Sequence, residues 1–185
     1  MAILTNGARC WAFLLMLLWC GIAQGEVSAI ERQVKAAYLY KFAGFVDWPD
    51  GSFARPDSPL VIGIAGSDAL AEQLEQMVAG RSVNGHALAI RRLRRGEPLA
   101  GLHILFVGAA DRAMMGDTLA AARGQALLTV TDSEEGFAQG SMINFVVADD
   151  KLRFEVALRQ VNSARLRISA RMLAAAHRVQ PGTSS

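Results

Sequence analysis

Small polar residues follow three of the predicted strands, at positions where a parallel sheet can hold a ligand. They are Ser67, Asp68, Asp111 and Asp132. Ligands of open parallel sheets bind beyond the carboxyl ends of the strands, so these side chains could line one crevice for a small molecule. The competing interpretation is structural, because Ser and Asp at such positions also cap helices and close turns. The pattern favours the structural interpretation and leaves the crevice open.

The familiar patterns of catalysis and cofactor binding are missing from the sequence. The run from Gly63 to Gly66 lacks the G-x-G-x-x-G spacing of a dinucleotide site, and there is neither a P-loop nor a G-x-S-x-G nucleophile turn. The three histidines, His86, His103 and His177, have no second histidine or carboxylate at metal-ligand spacing. We therefore predict no enzymatic activity, no cofactor and no metal.

The sequence has one dense cluster of positive charge, the run from Arg91 to Arg95. In a strand, Arg92 and Arg94 would share one face. The simpler interpretation is a solvated strand end whose charges discourage edge-to-edge pairing. The functional alternative is a basic patch that faces an acidic partner or anionic lipid headgroups.

The elements that must position these residues are typical of a mixed α/β fold. Short apolar runs at 60–65, 103–107 and 126–130 predict strands buried on both faces, and amphipathic helices alternate with them. Residues 136–156 predict a β-hairpin, since apolar and polar residues alternate after the polar turn 148–151. This order predicts a mainly parallel sheet, covered by helices on both faces, with an antiparallel C-terminal hairpin at one side.

Helices are predicted at both ends of this fold. The first, Val34 to Val46, has an apolar stripe and ends before Pro49. The last begins after Ser169 as N-cap and continues through Arg178. The aromatic side chains on and after the first helix either pack in the core or form a partly exposed patch for a partner, and their spacing favours the core.

The first 25 residues are typical of a secretory signal peptide. Arg9 precedes the uncharged run from Cys10 to Ile22, and small residues lead to an expected cleavage before Glu26. The run is short for a bilayer span. A retained anchor helix and lipoprotein processing at Cys20 are the alternatives. Both cysteines lie in this segment, so the exported chain has no disulfide and no cysteine-based metal site.

The exported chain is nearly neutral and has the length of one domain. Without Arg9 it has 18 basic and 17 acidic residues, and this near neutrality argues against nucleic acid as a partner. Residues 26–180 suffice for a single domain, which at this size buries about 70% of its unfolded surface. Residues 181–185 are expected to form a disordered tail.

Three stretches resemble signatures of the YfiR family of exported bacterial proteins. They are KAAYLYKFAGFVDWP at 35–49, GSMINFVVADDKLRFEV at 140–156 and ISARMLAAAHRV at 168–179. Their order and spacing fit the family, as does the strand–helix pattern between them. The resemblance spans essentially the whole exported chain, and the combination is specific although each stretch alone is structural.

The resemblance implies a periplasmic α/β regulator without catalysis. The best-understood family role is to bind the periplasmic sensory domain of an inner-membrane diguanylate cyclase and repress it, whereas release raises cyclic di-GMP and favours biofilm. Some members are expected to serve other membrane sensors, and members can form homodimers. Others carry redox-responsive disulfides, a mode of control that this chain lacks once its two cysteines are removed.

The expected partner-binding residues are aromatic side chains and arginines, the types enriched at protein interfaces. They are Tyr40, Phe45 and Trp48 near the first helix, and Arg171 and Arg178 on the last. The alternative function is a periplasmic small-ligand-binding module that uses the strand-end crevice and signals to a membrane sensor. An open apolar pocket with converging polar groups would favour that alternative.

Overall fold

The structure, a computed structural model, describes residues 29–109 and 112–182. The helices are α1 (residues 29–45), α2 (Asp68–Val78), α3 (Arg112–Ala122), α4 (Glu134–Ala138), α5 (Leu158–Ser163) and α6 (Ala170–Ala175). The strands are β1 (Val46–Asp47), β2 (Leu60–Ala65), β3 (Ser82–Val83), β4 (His86–Leu93), β5 (Ile104–Val107), β6 (Leu128–Thr131), β7 (Ile143–Ala148), β8 (Lys151–Ala157), β9 (Arg167–Ile168) and β10 (Arg178–Gln180).

One large sheet organises the fold. Its eight strands lie in the order β10-β8-β7-β6-β5-β2-β4-β3, while β1 and β9 form a separate antiparallel pair. The central strands from β4 to β7 are parallel, and β3 and β8 are antiparallel to their neighbours β4 and β7. The predicted fold class is confirmed, including the antiparallel hairpin at one side.

Both faces of the sheet are buried, because successive side chains of a strand point to opposite sides. On one face Ile62, Ile104 and Val130 pack in a core that includes residues of α1 and α2. On the other face Leu105 and Val107 join a second core that includes residues of α3. This two-sided burial explains the nearly continuous apolar runs of the central strands.

The β7–β8 hairpin is the best-specified part of the sheet. Its turn residues Asp149 and Asp150 have φ of 51° and 54°, as in the type I′ turn that suits a two-residue hairpin. Phe145 pairs with Phe154 across the strands, and both rings contact Tyr38 and Phe42 of α1, with centroids 5.1 to 6.1 Å apart. Each such aromatic pair adds about 0.5–1.5 kcal/mol beyond the buried area.

Three local predictions were wrong. Residues 136–138, predicted as the start of the hairpin, belong instead to α4, whose N-cap Ser133 accepts a hydrogen bond from the Gly136 N–H. Helix α1 begins at residue 29, five residues before the predicted start at Val34. Helix α6 ends at Ala175, because Ala176 has an extended backbone and the chain continues as β10 beside β8. Arg178 therefore lies on a strand rather than on the last helix.

Some predictions fall outside what the structure tests. The expected signal peptide lies outside the described residues, as do residues 183–185 of the expected tail. The division into one domain at 26–180 stays a prediction. Within residues 29–109 and 112–182, no helix is long and apolar enough to cross a membrane.

Candidate functional site

The strand order places a possible ligand site between β2 and β5. The chain leaves β2 towards β4 on one side and then returns to β5 on the other, and such a reversal opens a crevice at the carboxyl ends of the strands. Here Gly66, at φ +74°, lies against Gly108: a Cβ on Gly108 would be 3.0 Å from the Gly66 carbonyl oxygen. The two backbones therefore fill the space between the strand ends.

Ser67 and Asp68 lie beside a different opening, which we call the strand-end groove. It has a volume of about 580 Å³ and is lined by Gly66, Ser67, Asp68, Arg92, Leu93, Arg94 and Glu97. Ser67 is the N-cap residue of α2, but its hydroxyl makes no capping hydrogen bond. The lining of the groove is mostly polar, so it does not have the apolar character that the ligand alternative requires.

Asp132 is held in a network that ties α1 to the sheet. Its carboxylate accepts hydrogen bonds from the Ala109 N–H at 2.8 Å and from Lys35 Nζ at 2.7 Å. Lys35 also pairs with Glu31 at 2.6 Å. Burial alone would lower the pKa of Lys35, but its hydrogen bonds to the two carboxylates outweigh this effect and raise the pKa.

The structure separates the residues predicted to line one crevice. Ser67 and Asp68 line the strand-end groove, whereas Asp132 does not, and its carboxylate is already engaged by Lys35 and Ala109. Asp111 lies outside the described residues. This arrangement supports the structural interpretation for Asp132, and a ligand at Ser67 and Asp68 stays a prediction.

Three arginines of the cluster on β4 and the residues after it have local partners. Arg91 donates to the carbonyls of Pro98 and Ala100. Arg92 forms a bidentate pair with Glu75 of α2, and Arg95 pairs with Asp117 of α3. These contacts favour the solvated, edge-blunting interpretation over a free basic patch.

The three predicted aromatic residues lie at the C-terminal end of α1, and we call them the aromatic corner. Tyr40, Phe45 and Trp48 are each half-buried and pack against the core. Trp48 Nε1–H donates to the carbonyl of His103 at 3.2 Å, and Arg81 lies 5.5 Å from the centre of the Tyr40 ring. Much of their apolar surface is therefore already used within the molecule.

The two predicted arginines differ in their surroundings. Arg171 is exposed on α6. Arg178 pairs with Glu155 at 2.8 Å, and the Glu155 side chain is only 8% exposed. A carboxylate at that depth needs a charged partner, so Arg178 has a structural task. Partner binding by Arg171 and Arg178, as by the aromatic corner, stays a prediction.

Sequence reasoning missed an apolar groove at the other end of α1, which we call the hairpin groove. Its volume is about 450 Å³, and it is lined by Ile30, Glu31, Val34, Val147, Asp150, Lys151 and Leu152. Ile30 is 62% exposed and Val147 68%, and they are the large hydrophobic residues left exposed in the described part of the chain. Val147 could have been suspected, since it lies on the same face of β7 as the buried Phe145 but two residues nearer the exposed hairpin turn.

Ionisable clusters suited to catalysis or metal binding are missing from the described residues. No group of three or more His, Cys, Asp or Glu side chains within 29–109 and 112–182 could hold a metal ion. The more buried ionisable side chains instead serve the fold, as Lys35 and Glu155 do in their ion pairs. An α/β domain that exposes an apolar groove and pairs its largely buried Lys35 and Glu155 internally is typical of a protein that works by binding.

The family match agrees with this class. The chain belongs to the YfiR/HmsC-like family (DUF4154), whose model matches residues 32–177 of 185. Among curated proteins, no sequence matches the chain. The family is one of periplasmic regulatory domains and not of known enzymes, and membership implies interaction with a membrane signalling protein. The predicted family resemblance is confirmed.

Proposed function

We propose that this protein is a non-enzymatic periplasmic regulator that binds the sensory domain of an inner-membrane diguanylate cyclase and represses it. Family membership suggests a regulator of cyclic di-GMP signalling, and it supports the class of partner. Binding would keep the cytoplasmic output of the cyclase low, and release would raise cyclic di-GMP and favour biofilm. Export by a cleaved signal peptide of residues 1–25 is part of the same proposal.

The observation that carries the proposal is the hairpin groove. Monomeric proteins seldom leave contiguous apolar surface exposed unless it binds something. Ile30 and Val147 come from elements far apart in sequence, yet they line the same groove with Val34 and Leu152. We propose that the sensory domain of the cyclase inserts apolar side chains here.

The charges around the hairpin groove indicate which charge the partner surface should carry. Asp149, Asp150 and Lys151 are exposed on the hairpin turn. Glu31 lies on the α1 side, where it is paired with Lys35. The exposed turn is thus acidic on balance, so the fitting partner has apolar side chains bordered by basic residues. An anionic membrane surface has the wrong sign of charge for this rim.

The small-ligand module is the second candidate function, and one observation favours it. The Ser67 hydroxyl lies at the strand-end groove without a capping hydrogen bond, next to Arg92 and Arg94. The close contact of Gly66 with Gly108 opposes a ligand between β2 and β5. We therefore rank ligand binding below partner binding.

A pull-down tests the proposed function. The protein, exported and purified from the periplasm, is immobilised and exposed to solubilised inner membrane, and retained proteins are identified by mass spectrometry. Recovery of a cyclase with a periplasmic domain is the expected result, together with raised cyclic di-GMP in cells that lack the regulator. Recovery of a sensor kinase or transporter would move the function to another partner. An empty pull-down, repeated at low salt, would overturn stable partner binding.

A further inference from the structure

Two histidines and a phenylalanine form a stack of three rings away from both grooves. Phe53 lies between His86, with ring centres 3.8 Å apart and planes at 9°, and His103, at 4.2 Å and 22°. Trp48 meets the Phe53 and His103 rings at steep angles. The stack joins the loop at 49–58, which carries Phe53, to the starts of β4 and β5.

Hydrogen bonds define the protonation state of each imidazole. The Val61 N–H donates to His103 Nδ1 at 3.1 Å, so this nitrogen has no proton. The other ring nitrogen, Nε2, donates to the Ser52 carbonyl at 3.2 Å. His103 is therefore neutral, with its proton on Nε2. His86 Nδ1 donates to the Ser58 carbonyl at 2.7 Å, a bond that a charged imidazole would keep.

These two bonds are what fasten the loop to the sheet. Apart from them, the hydrogen bonds that the structure gives to residues 49–58 stay within the loop, such as those of Ser52 with Pro49 and of Arg55 with Ser58. Most of the loop is exposed, and Phe53 is its large apolar anchor. Loss of the His103 contacts would leave the loop held at one end only.

We infer that the His86–Phe53–His103 stack is an acid-sensitive latch, in which protonation of His103 releases the 49–58 loop from the sheet. A proton on Nδ1 would point at the Val61 N–H, which is itself a donor, so that hydrogen bond must break. The charged ring would also lie in a site where His103 is 3% exposed, and burying a charge without a counter-ion is costly. Release of the loop would let the ring turn away from Val61 and reach water, which relieves both conflicts at the cost of the hydrogen bond to Ser52.

The charge that acts on His103, that of His86, disfavours the cationic form of the ring. Val61 and Phe53 bring no charge from β2 and from the loop, and Trp48 brings none from the end of α1 and β1. His86 on β4 is the titratable group that faces the stack, and its positive form repels a charged His103. Arg55 and Asp57 on the loop pair with each other and are largely exposed. No carboxylate of the described residues pairs with His103 to stabilise its cation.

The pKa of His103 agrees with this geometry. Burial lowers the pKa from its ordinary value of 6.5, the hydrogen bond to Ser52 partly opposes the shift, and His86 lowers it further. The latch is thus closed at neutral pH and opens only below pH 6.5. A periplasmic regulator with this latch would expose Trp48 and Phe53 in acidic surroundings, a response independent of cysteine oxidation.

Tryptophan fluorescence offers a direct test. Trp11 and Trp19 lie in the predicted signal peptide, so Trp48 is the single tryptophan of the exported protein. We expect its emission to shift to the red as the pH is lowered from about 8 to about 4.5, with a midpoint below the ordinary pKa of histidine. Far-UV circular dichroism should stay unchanged across this transition. The His103→Gln variant should lose the transition, while the matched variant His177→Gln, at an exposed histidine, should keep it.

Other outcomes overturn the inference. It fails if Trp48 emission is flat over this pH range, if its change coincides with loss of circular dichroism, or if His177→Gln abolishes the transition. His103→Gln could simply fail to fold, so the wild-type protein is also titrated by NMR of its imidazole C–H signals. The His103 signal and Trp48 emission must then share one midpoint, and different midpoints would also overturn the latch.

Discussion

The two ends of helix α1 use their apolar side chains in opposite ways. At the C-terminal end, the aromatic corner packs half-buried against the core, and Trp48 donates a hydrogen bond to the sheet. At the N-terminal end, Ile30 and Val147 stay largely exposed beside one another in the hairpin groove. One end thus stabilises the fold, while the other is left available to a partner.

The comparison teaches that residue type alone does not identify a docking surface. Large aromatic side chains made the corner the better candidate in the sequence, because such residues are enriched at interfaces. The same side chains are also the strongest contributors to a core. Aliphatic residues at the groove attract less notice in a sequence, but they are the ones without a covering element among the described residues.

The largest effect is expected at the aromatic corner. Trp48→Ala removes the ring contacts with Phe53 and His103 and one hydrogen bond, and should lower the free energy of unfolding by about 2–3 kcal/mol. Trp48→Phe keeps a ring and should cost about 1 kcal/mol. Urea unfolding measures both. A Trp48→Ala protein as stable as the wild type would show that the corner is not part of the core.

The next largest effect is expected at Asp132. It distinguishes a structural role of this residue from a ligand-binding role. Asp132→Ala leaves Lys35 with Glu31 alone and the Ala109 N–H without its acceptor, so stability should fall by about 1–3 kcal/mol. Asp132→Asn can still accept from Ala109 and should cost less. Urea unfolding is again the measurement, and unchanged stability in both variants would return Asp132 to the list of ligand candidates.

A substitution in the hairpin groove should weaken partner binding but leave the stability of the fold nearly unchanged. Val147→Lys places a charge on an exposed site, so the free energy of unfolding should change by less than about 0.5 kcal/mol. Capture of the membrane partner should weaken about tenfold or more, which corresponds to about 1.4 kcal/mol. Arg55→Ala, at another exposed site, is the control. Equal capture by Val147→Lys and the control would exclude the groove.

The smallest effect is the pH dependence of stability at the corner. The folded-state pKa of His103 is lowered, so its contribution is complete above pH 6.5 and declines as the pH falls towards the folded-state pKa. The free energy of unfolding should fall by at most about 1.4 kcal/mol per pH unit in that window. Urea unfolding at several pH values measures the slope, with His103→Gln as the comparison. A slope that this variant keeps would come from another group.

Most of the architecture could be predicted from local patterns. The run at 60–65 became β2 with both faces buried, and the alternating residues after Asp150 became β8. Those predictions succeed because period and burial are encoded in neighbouring residues. β10 could not be predicted in this way, since its strand conformation depends on pairing with β8, which is distant in sequence. Arg178 was wrongly predicted to lie on a helix because this pairing is not visible in the local sequence.

The candidate site was less predictable than the fold. Tyr40, Phe45 and Trp48 were correctly recognised as residues that suit a core, but no local pattern shows that Ile30 meets Val147. The partners of Asp132 were also hidden, because Lys35 lies on α1 and Ala109 follows β5. Surfaces and ion networks arise from contacts between distant segments, and one sequence does not reveal such contacts.

One binding measurement tests the central claim most directly. The periplasmic domain of the cyclase recovered from the membrane is titrated against the exported wild-type protein, Val147→Lys and Arg171→Ala, and the Kd values are compared. We predict that Arg171→Ala binds within about twofold of the wild type and that Val147→Lys binds about tenfold more weakly or worse. Equal affinity of all three proteins, or loss of binding in Arg171→Ala alone, would contradict docking at the hairpin groove.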